Sequence, residues 1–260
     1  MLFWVYNSFV SKVYLSVVIP SYNEMLNLQK GVLEKVERFL AKKKFAYEVI
    51  VVDDGSDDGS IKFAENFVKD NPKFKLLKNP HTGKAGAVTA GILASRGEIV
   101  LFTDMDQATP IEEADKLLLF FNKGYDIVIG SRNSQRKGSP FSRILMARGM
   151  MILRTIIVGV KGISDTQCGF KAFKREAAHK LFTRIKQLHY GFNSISGSSV
   201  TAGFDVEFLY LAQKMGFKIK EVPVSWLYVE TRRVSPIRDS IDGLINLLQI
   251  KYSDISGRYK

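Results

Sequence analysis

Cysteine is almost missing from this chain: Cys168 stands alone among 260 residues. One thiol excludes an internal disulfide framework and fits a reducing compartment. Histidine is equally scarce, and His81, His179 and His189 show no spacing that would build a metal site. Long apolar runs are missing too. The longest candidate, residues 144–160, is interrupted by Arg148 and Arg154 and falls short of the roughly 20 clean apolar residues a membrane-spanning helix needs. The start, Met1 to Tyr14, is apolar and aromatic, but no basic segment precedes it and no small-residue cleavage site follows. Neither a signal peptide nor a transmembrane helix is therefore expected. Linkers, low-complexity stretches and internal repeats are also lacking, so the expectation is a single domain over 1–260. It would have a short apolar extension (1–13), a first half (14–139) and a second half (140–260).

Charge is present in excess. Lys and Arg total 38 against 26 Asp and Glu, a formal net charge of +12. Such a balance favours polyanions: nucleic acid, nucleotide diphosphates or acidic lipid headgroups. Nucleic acid is the weakest of the three. No helix-turn-helix, ribonucleoprotein motif or zinc spacing is visible, and basic residues do not alternate with aromatics along a strand.

Short apolar runs at Leu15–Ile19, Val49–Val52, Ile99–Phe102 and Ile127–Ile129 alternate with helical patterns at Leu26–Lys43, Ser60–Lys69, Ala85–Ser95 and Ile111–Asn122. This alternation predicts an α/β fold with a mainly parallel sheet buried on both faces. Ligands of such sheets bind beyond the carboxyl ends of the strands. Polar clusters follow each run: Pro20-Ser21-Tyr22-Asn23-Glu24, Asp53-Asp54-Gly55-Ser56-Asp57-Asp58-Gly59, Thr103-Asp104-Met105-Asp106 and Gly130-Ser131-Arg132. Asp104 and Asp106 are the most informative. Two carboxylates at a strand end suit Mg²⁺ or Mn²⁺ that also holds phosphate oxygens. Asp57–Ser60 reads as a helix N-cap. After about Pro140 the alternation fails. There the sequence offers an arginine-bearing helix over 144–160, the string Asp165 to Lys171, a helix near Gly203–Met215, an extended run Lys218–Tyr228 and an amphipathic helix near Pro236–Tyr252. The arginines of the first helix would be solvated or would lie near lipid headgroups.

The strings Val17-Val18-Ile19-Pro20-Ser21-Tyr22-Asn23-Glu24, Val51-Val52-Asp53-Asp54-Gly55-Ser56, Asp104-Met105-Asp106 and Gly130-Ser131-Arg132, in this order, resemble family 2 glycosyltransferases of the GT-A fold. Asp165-Thr166-Gln167-Cys168-Gly169-Phe170-Lys171 and Phe204-Asp205-Val206-Glu207 narrow the resemblance to dolichyl- or polyprenyl-phosphate hexose synthases. Asp104 to Thr109 and Asp165 to Lys171 look closer to the glucosyl than to the mannosyl branch. Mannosyl relatives often carry a glutamine ligand where this chain has Ala108, with Gln107 one place earlier.

The resemblance implies a Rossmann-like sheet with amphipathic interface helices in the second half. It implies a nucleotide-sugar site of Pro20, Tyr22, Glu24, Val52, Asp53, Asp54, Lys84, Asp104, Met105, Asp106 and Arg132. In it Tyr22 covers the base or ribose, Glu24 accepts from ribose hydroxyls, and Asp54 or Asp53 accepts from the base. Asp104 and Asp106 would hold Mg²⁺ or Mn²⁺, and Arg132 would bind phosphate and complete the catalytic set. Arg148, Arg232, Arg233, Asp165 and Gln167 would serve the acceptor phosphate, while Asp205 would orient an arginine. A lipid monophosphate is already anionic at neutral pH and needs positioning rather than a general base. The expected reaction is thus an inverting, metal-dependent transfer of a hexose, foremost glucose from UDP-glucose, to a polyprenyl phosphate. GDP-mannose as donor and a glycan hydroxyl as acceptor remain alternatives, the latter needing a base among Asp165, Asp205 or Glu207. The expected setting is peripheral, on the cytoplasmic face of a membrane, reached through amphipathic helices or a membrane-protein partner.

Overall fold

The computed structural model describes residues 12–132, 149, 151–192, 203–227 and 236–260, the last segment by backbone alone over 236–240. In chain order the elements are β1 (Leu15–Ser21), α1 (Met25–Gln29), α2 (Val32–Ala41), β2 (Tyr47–Asp53), α3 (Ser60–Asp70), β3 (Phe74–Lys78), α4 (Gly83–Ala94), β4 (Ile99–Thr103), α5 (Ala114–Leu118), β5 (Ile127–Ser131), α6 (151–157), β6 (Phe170–Lys174), α7 (Arg175–Leu188), α8 (Phe204–Lys214), β7 (Ile219–Pro223) and α9 (Pro236–Ile255).

Seven strands form one sheet in the order β3-β2-β1-β4-β6-β5-β7. All neighbouring pairs are parallel except β4–β6 and β6–β5. The mainly parallel α/β architecture is therefore present, with one antiparallel strand inserted near its middle. Alternation along β1 shows why both faces are buried. Val18 joins Ile50, Val100 and Phe102 under α4, α7 and α8. Val17 and Ile19 turn to the other face, with Leu28, Leu33, Val36 and Leu117.

Two sequence expectations are corrected. Leu26–Lys43 is two helices, because Gly31 between them takes a left-handed φ of +73° that ends the first. Ile111–Asn122 is not one helix; it is 3₁₀ turns on either side of the five-residue α5. Two further elements have no counterpart in the sequence reading: β6 begins in the last two residues of the Asp165–Lys171 string and runs on to Lys174, and α7 follows it directly. Helix α7 buries Ala177, Ala178, Leu181, Phe182 and Ile185, a helical stripe legible from spacing.

Register places the site. Ser21 pairs with Asp53, so β1 and β2 end level, and Val18 pairs with Phe102, so β4 ends two residues short of them at the same edge. Thr103 pairs with Phe170, the first residue of antiparallel β6. The 165–169 loop therefore arrives at the same rim as the exits of β1, β2, β4 and β5.

Candidate active site

The base-side wall comes from β1 and β2. Beyond β1 the ring of Tyr22 stacks on His81, with centroids 4.2 Å apart and planes 14° from parallel. The turn is laced to the loop after β2. Asn23 N–H donates to Ser56 Oγ, Asp57 N–H to Asn23 Oδ1, Glu24 N–H to Ser60 Oγ and Met25 N–H to Asp58 Oδ2. Asp58 also accepts from Ser60 N–H at 2.9 Å, although the N-cap position of α3 itself is Gly59, which has no side chain to cap with, so the cap expected over Asp57–Ser60 comes only from the residue before it.

The two adjacent aspartates differ sharply. Asp54 is fully used. Its Oδ1 accepts from Thr82 N–H and Asn79 Nδ2, and its Oδ2 from Gly83 N–H at 2.7 Å, with His81 Nδ1 3.0 Å away. It fastens the N-terminus of α4, where a carboxylate suits the positive helix end. Asp53, also buried, accepts from Gly55 and Ser56 N–H through Oδ2, but its Oδ1 has no partner among the described residues. Val52 and Met105, expected at the nucleotide, turn their side chains into the core instead.

The acidic rim lies beyond β4. Lys84 Nζ meets Asp104 Oδ1 at 2.6 Å. Burial opposes the lysine's charge, yet Asp104, Asp205 and Asp106 together hold its pKa above the ordinary value. Asp106 accepts from Ala108 N–H at 3.0 Å. Burial, and then the Asp104 charge, push the Asp106 carboxyl up. Glu24 is raised the same way, by burial and then by Asp106 and Asp104. Three carboxylates thus share one field, with Lys84 as the nearby cation. Gln107 adopts a left-handed φ of +48° and donates to Thr103 Oγ1 and the Asp104 carbonyl, which fixes the turn between the two aspartates. Gly169 is the unforeseen member. A Cβ there would lie 1.8 Å from Asp104 Oδ2, so only glycine lets the 165–169 loop close over that carboxylate. Its place in the Asp165–Lys171 string was visible, but the reason was not.

The basic rim lies beyond β5. Arg132 grips Asp165 bidentately, Nε to Oδ2 and Nη2 to Oδ1, both at 2.8 Å, while its N–H also donates to Oδ2. Burial alone would raise Asp165, but the guanidinium overrides it and brings the carboxyl down to about 2. Asp165 is held in turn: its N–H and that of Ser164 donate to Glu221 on β7. Arg132 also faces the Trp226 ring at 5.9 Å. Gln167 is exposed beside this fork, its N–H on Asp165 Oδ1.

Other expectations shift. Asp205 does not orient an arginine; it pairs with Lys171 at 2.6 Å. Glu207 binds His189 and Tyr259 at 2.7 and 2.6 Å. Arg154 is neither solvated nor at a headgroup. It is buried on α6 and donates to Thr166 Oγ1 and the Ile163 carbonyl, bracing the 163–166 loop, and burial lowers its pKa. Arg148, Arg232 and Arg233 lie outside the described residues.

The acidic rim fits a divalent cation. Asp104 and Asp106 offer hard oxygen donors in a pocket of excess negative charge, and no closed cage of three His, Cys, Asp or Glu side chains forms among the described residues. Mg²⁺ characteristically takes one or two carboxylates and completes its shell with water and substrate phosphates.

A mainly parallel sheet with one antiparallel strand, its rim carrying carboxylates on one side and an arginine fork on the other, is the architecture of a GT-A glycosyltransferase fold. The comparisons agree. Residues 16–182 match the family model described as glycosyl transferase family 2, and the chain belongs to that family. Among curated relatives, the dolichyl-phosphate beta-glucosyltransferase of Dictyostelium discoideum is 35% identical over 96% of this chain and 78% of its own length. The human protein of that name is 35% identical over 95% and 77%, and that of Saccharomyces cerevisiae 31% identical over 96% and 77%. The glucosyl-branch resemblance of the sequence is thus borne out. Among solved structures, glucosyl-3-phosphoglycerate synthase from Mycobacterium tuberculosis in complex with UDP aligns with a TM-score of 0.60 at 18% identity, covering 92% of this chain and 80% of that one. The mannosyltransferase PcManGT from Pyrobaculum calidifontis, in complex with GDP-Man and Mn²⁺, aligns at 0.56 and 16%, covering 95% and 75%. These structures establish the fold.

Proposed function

We propose that this protein transfers glucose from UDP-glucose to dolichyl phosphate or a related polyprenyl phosphate, with inversion, to give a β-linked lipid-phosphate glucose. The names of its relatives support the acceptor and the sugar; the geometry of the rim supports the chemistry.

Tyr22 offers an aromatic face for the base or ribose, and Asp53 Oδ1 an acceptor for a base N–H. Asp53 takes that role over Asp54, whose oxygens are already occupied. Glu24 accepts from ribose hydroxyls. Asp104 and Asp106 hold Mg²⁺ or Mn²⁺, which when bound neutralises the charge growing on the departing diphosphate. Lys84 adds a second positive charge on that side. Strands β4 and β5 are two spacings apart, roughly 10 Å, so the acidic rim and Arg132 flank the position the hexose would take. There the guanidinium steadies the acceptor phosphate, with Asp165 fixing its plane.

One observation carries the choice of acceptor. A hydroxyl nucleophile needs a base, and each candidate is already bound: Asp165 to Arg132, Asp205 to Lys171, Glu207 to His189 and Tyr259. A phosphate oxygen needs none. The attacking lone pair forms the bond to the anomeric carbon while the bond to the β-phosphate oxygen breaks.

Contact with a lipid surface is part of the reading. No helix of the described residues is long and apolar enough to cross a membrane. Helix α9, however, exposes Ile241, Leu244, Ile245, Leu248, Tyr252 and Ile255 along one stripe, while Leu247 and Ile250 on its other side enter the core. On α6, Ile152, Leu153 and Ile156 are exposed as well. With a net charge of +12, such a surface suits the cytoplasmic leaflet of an anionic membrane. The test is direct. Labelled UDP-glucose, Mg²⁺ and dolichyl phosphate on vesicles should yield an acid-labile, organic-extractable glucolipid. No transfer from UDP-glucose to any lipid phosphate would overturn the reading.

A further inference from the structure

Lys171 has no part in the chemistry described above, yet it is the most completely buried charged side chain of the site. It sits on β6 between Phe102 of β4 and Ile129 of β5, and none of its side chain is exposed. A buried ammonium is costly unless paired, so its partners are informative. Nζ donates to the Cys168 carbonyl at 2.5 Å and to Asp205 Oδ1 at 2.6 Å. The rings of Phe102 and Phe208 flank it at 5.2 and 5.3 Å.

These contacts reach both rims. The Cys168 carbonyl belongs to the loop that supplies Asp165 to Arg132 and Gly169 to Asp104. Asp205 lies in the field of both working cations, since its charge supports protonation of Lys84 and of Arg132. The floor of the site thus balances the carboxylates of Asp104, Asp106, Asp165 and Asp205 against Lys84, Arg132 and Lys171. Without the Lys171 charge, Asp205 becomes a partly buried, uncompensated anion. It would then draw Lys84 from Asp104 or Arg132 from Asp165, and would repel any phosphate brought between them.

We propose that Lys171 is a positioning residue of the transfer reaction: by occupying Asp205 and anchoring the Cys168 carbonyl, it keeps Lys84 on Asp104 and Arg132 on Asp165, where both face anionic substrates. This rests on the reading of the site as a nucleotide-sugar site, and it adds a residue that touches no substrate. The device is a counter-ion to a counter-ion, placed on the strand that joins the two rims.

The experiment measures UDP binding by calorimetry in Mg²⁺, alongside thermal melting, in wild type, Lys171→Met, Asp205→Asn and the double variant. Lys171→Met should weaken UDP binding by about tenfold or more, equivalent to ~1.4 kcal/mol. Adding Asp205→Asn should restore most of the affinity, because it removes the stranded carboxylate; a purely structural role would leave the double variant as weak as the single. A folded Lys171→Met that binds UDP like wild type, or a double variant no tighter than Lys171→Met, would overturn the proposal. Should Lys171→Met fail to fold, Asp205→Asn decides alone: affinity at or above wild type supports charge balance, and a tenfold loss contradicts it. Wild-type protein that binds no UDP would overturn the functional reading itself, a result visible before any substitution is made.

Discussion

Arg132 and Asp165 meet fork to fork, two side-chain contacts of 2.8 Å joining the end of β5 to the loop before β6. A guanidinium fixed in this way presents its remaining edge in one orientation, and that preorganisation is what a positioned phosphate requires. Replacing Asp165 by Asn removes the charge but keeps the shape. Turnover should fall by about 10²-fold, with acceptor KM raised more than donor KM. Steady-state kinetics with each substrate varied in turn measures this; equal effects on both substrates would contradict it.

The same pair sets a pH dependence. The Asp165 carboxyl is held at about 2 in the folded protein, against about 4 in an unfolded chain. A depressed folded pKa gives stability that is full above about pH 4 and is lost as pH falls from about 4 towards about 2. Acid unfolding of wild type should therefore steepen in that window, and Asp165→Asn should flatten the slope. Parallel acid titrations followed by circular dichroism would show it.

Gly169→Ala tests the closure over the acidic rim. The added methyl would lie 1.8 Å from Asp104 Oδ2, so either the carboxylate or the loop must move. The expected result is a fall in kcat/KM of about 10²-fold, with a higher Mg²⁺ concentration needed for half-maximal rate. Mg²⁺ dependence unchanged from wild type would separate Gly169 from the cation site.

The neighbouring aspartates should part company. Asp54→Ala strips the bonds that start α4, and urea unfolding should register a loss of about 2 kcal/mol or more. Asp53→Asn should leave stability near wild type while weakening UDP binding. The reverse pattern would return the base contact to Asp54. The sequence could not divide these roles, because both residues sit in one acidic turn. What separates them is the path of residues 79–83 across the sheet edge, which puts Asn79, His81, Thr82 and Gly83 around Asp54 alone.

The stripe on α9 gives a further prediction. Leu248→Asp with Ile245→Asp should abolish sedimentation with anionic vesicles while leaving the melting temperature near wild type, since both side chains are exposed. Unchanged vesicle binding would move membrane contact elsewhere.

Much of this was legible in local pattern. Runs such as Val49–Val52 and Ile99–Phe102 are strands because continuous apolar stretches belong inside a two-faced parallel sheet, and the polar strings after them reach the rim the topology dictates. What stayed hidden depends on long-range partners. Nothing in the local pattern marks Lys171 as buried; the antiparallel insertion of β6 buries it. Arg154 reads as a surface arginine on an apolar helix, until the carbonyls of Ile163 and Ser164 and the Thr166 hydroxyl close around it. Helix α7, by contrast, has a buried stripe whose spacing is local and sufficient by itself.

The central claim is that carboxylates and an arginine, with no general base, move a hexose onto a lipid phosphate. The most direct measurement offers the protein UDP-glucose with dolichyl phosphate and, separately, with the dephosphorylated alcohol, each with Mg²⁺ and with a chelator. The account predicts transfer to the phosphate alone, abolished by the chelator and restored by added Mg²⁺ or Mn²⁺. Glucose appearing on the alcohol, or transfer to the phosphate undiminished by the chelator, would contradict it.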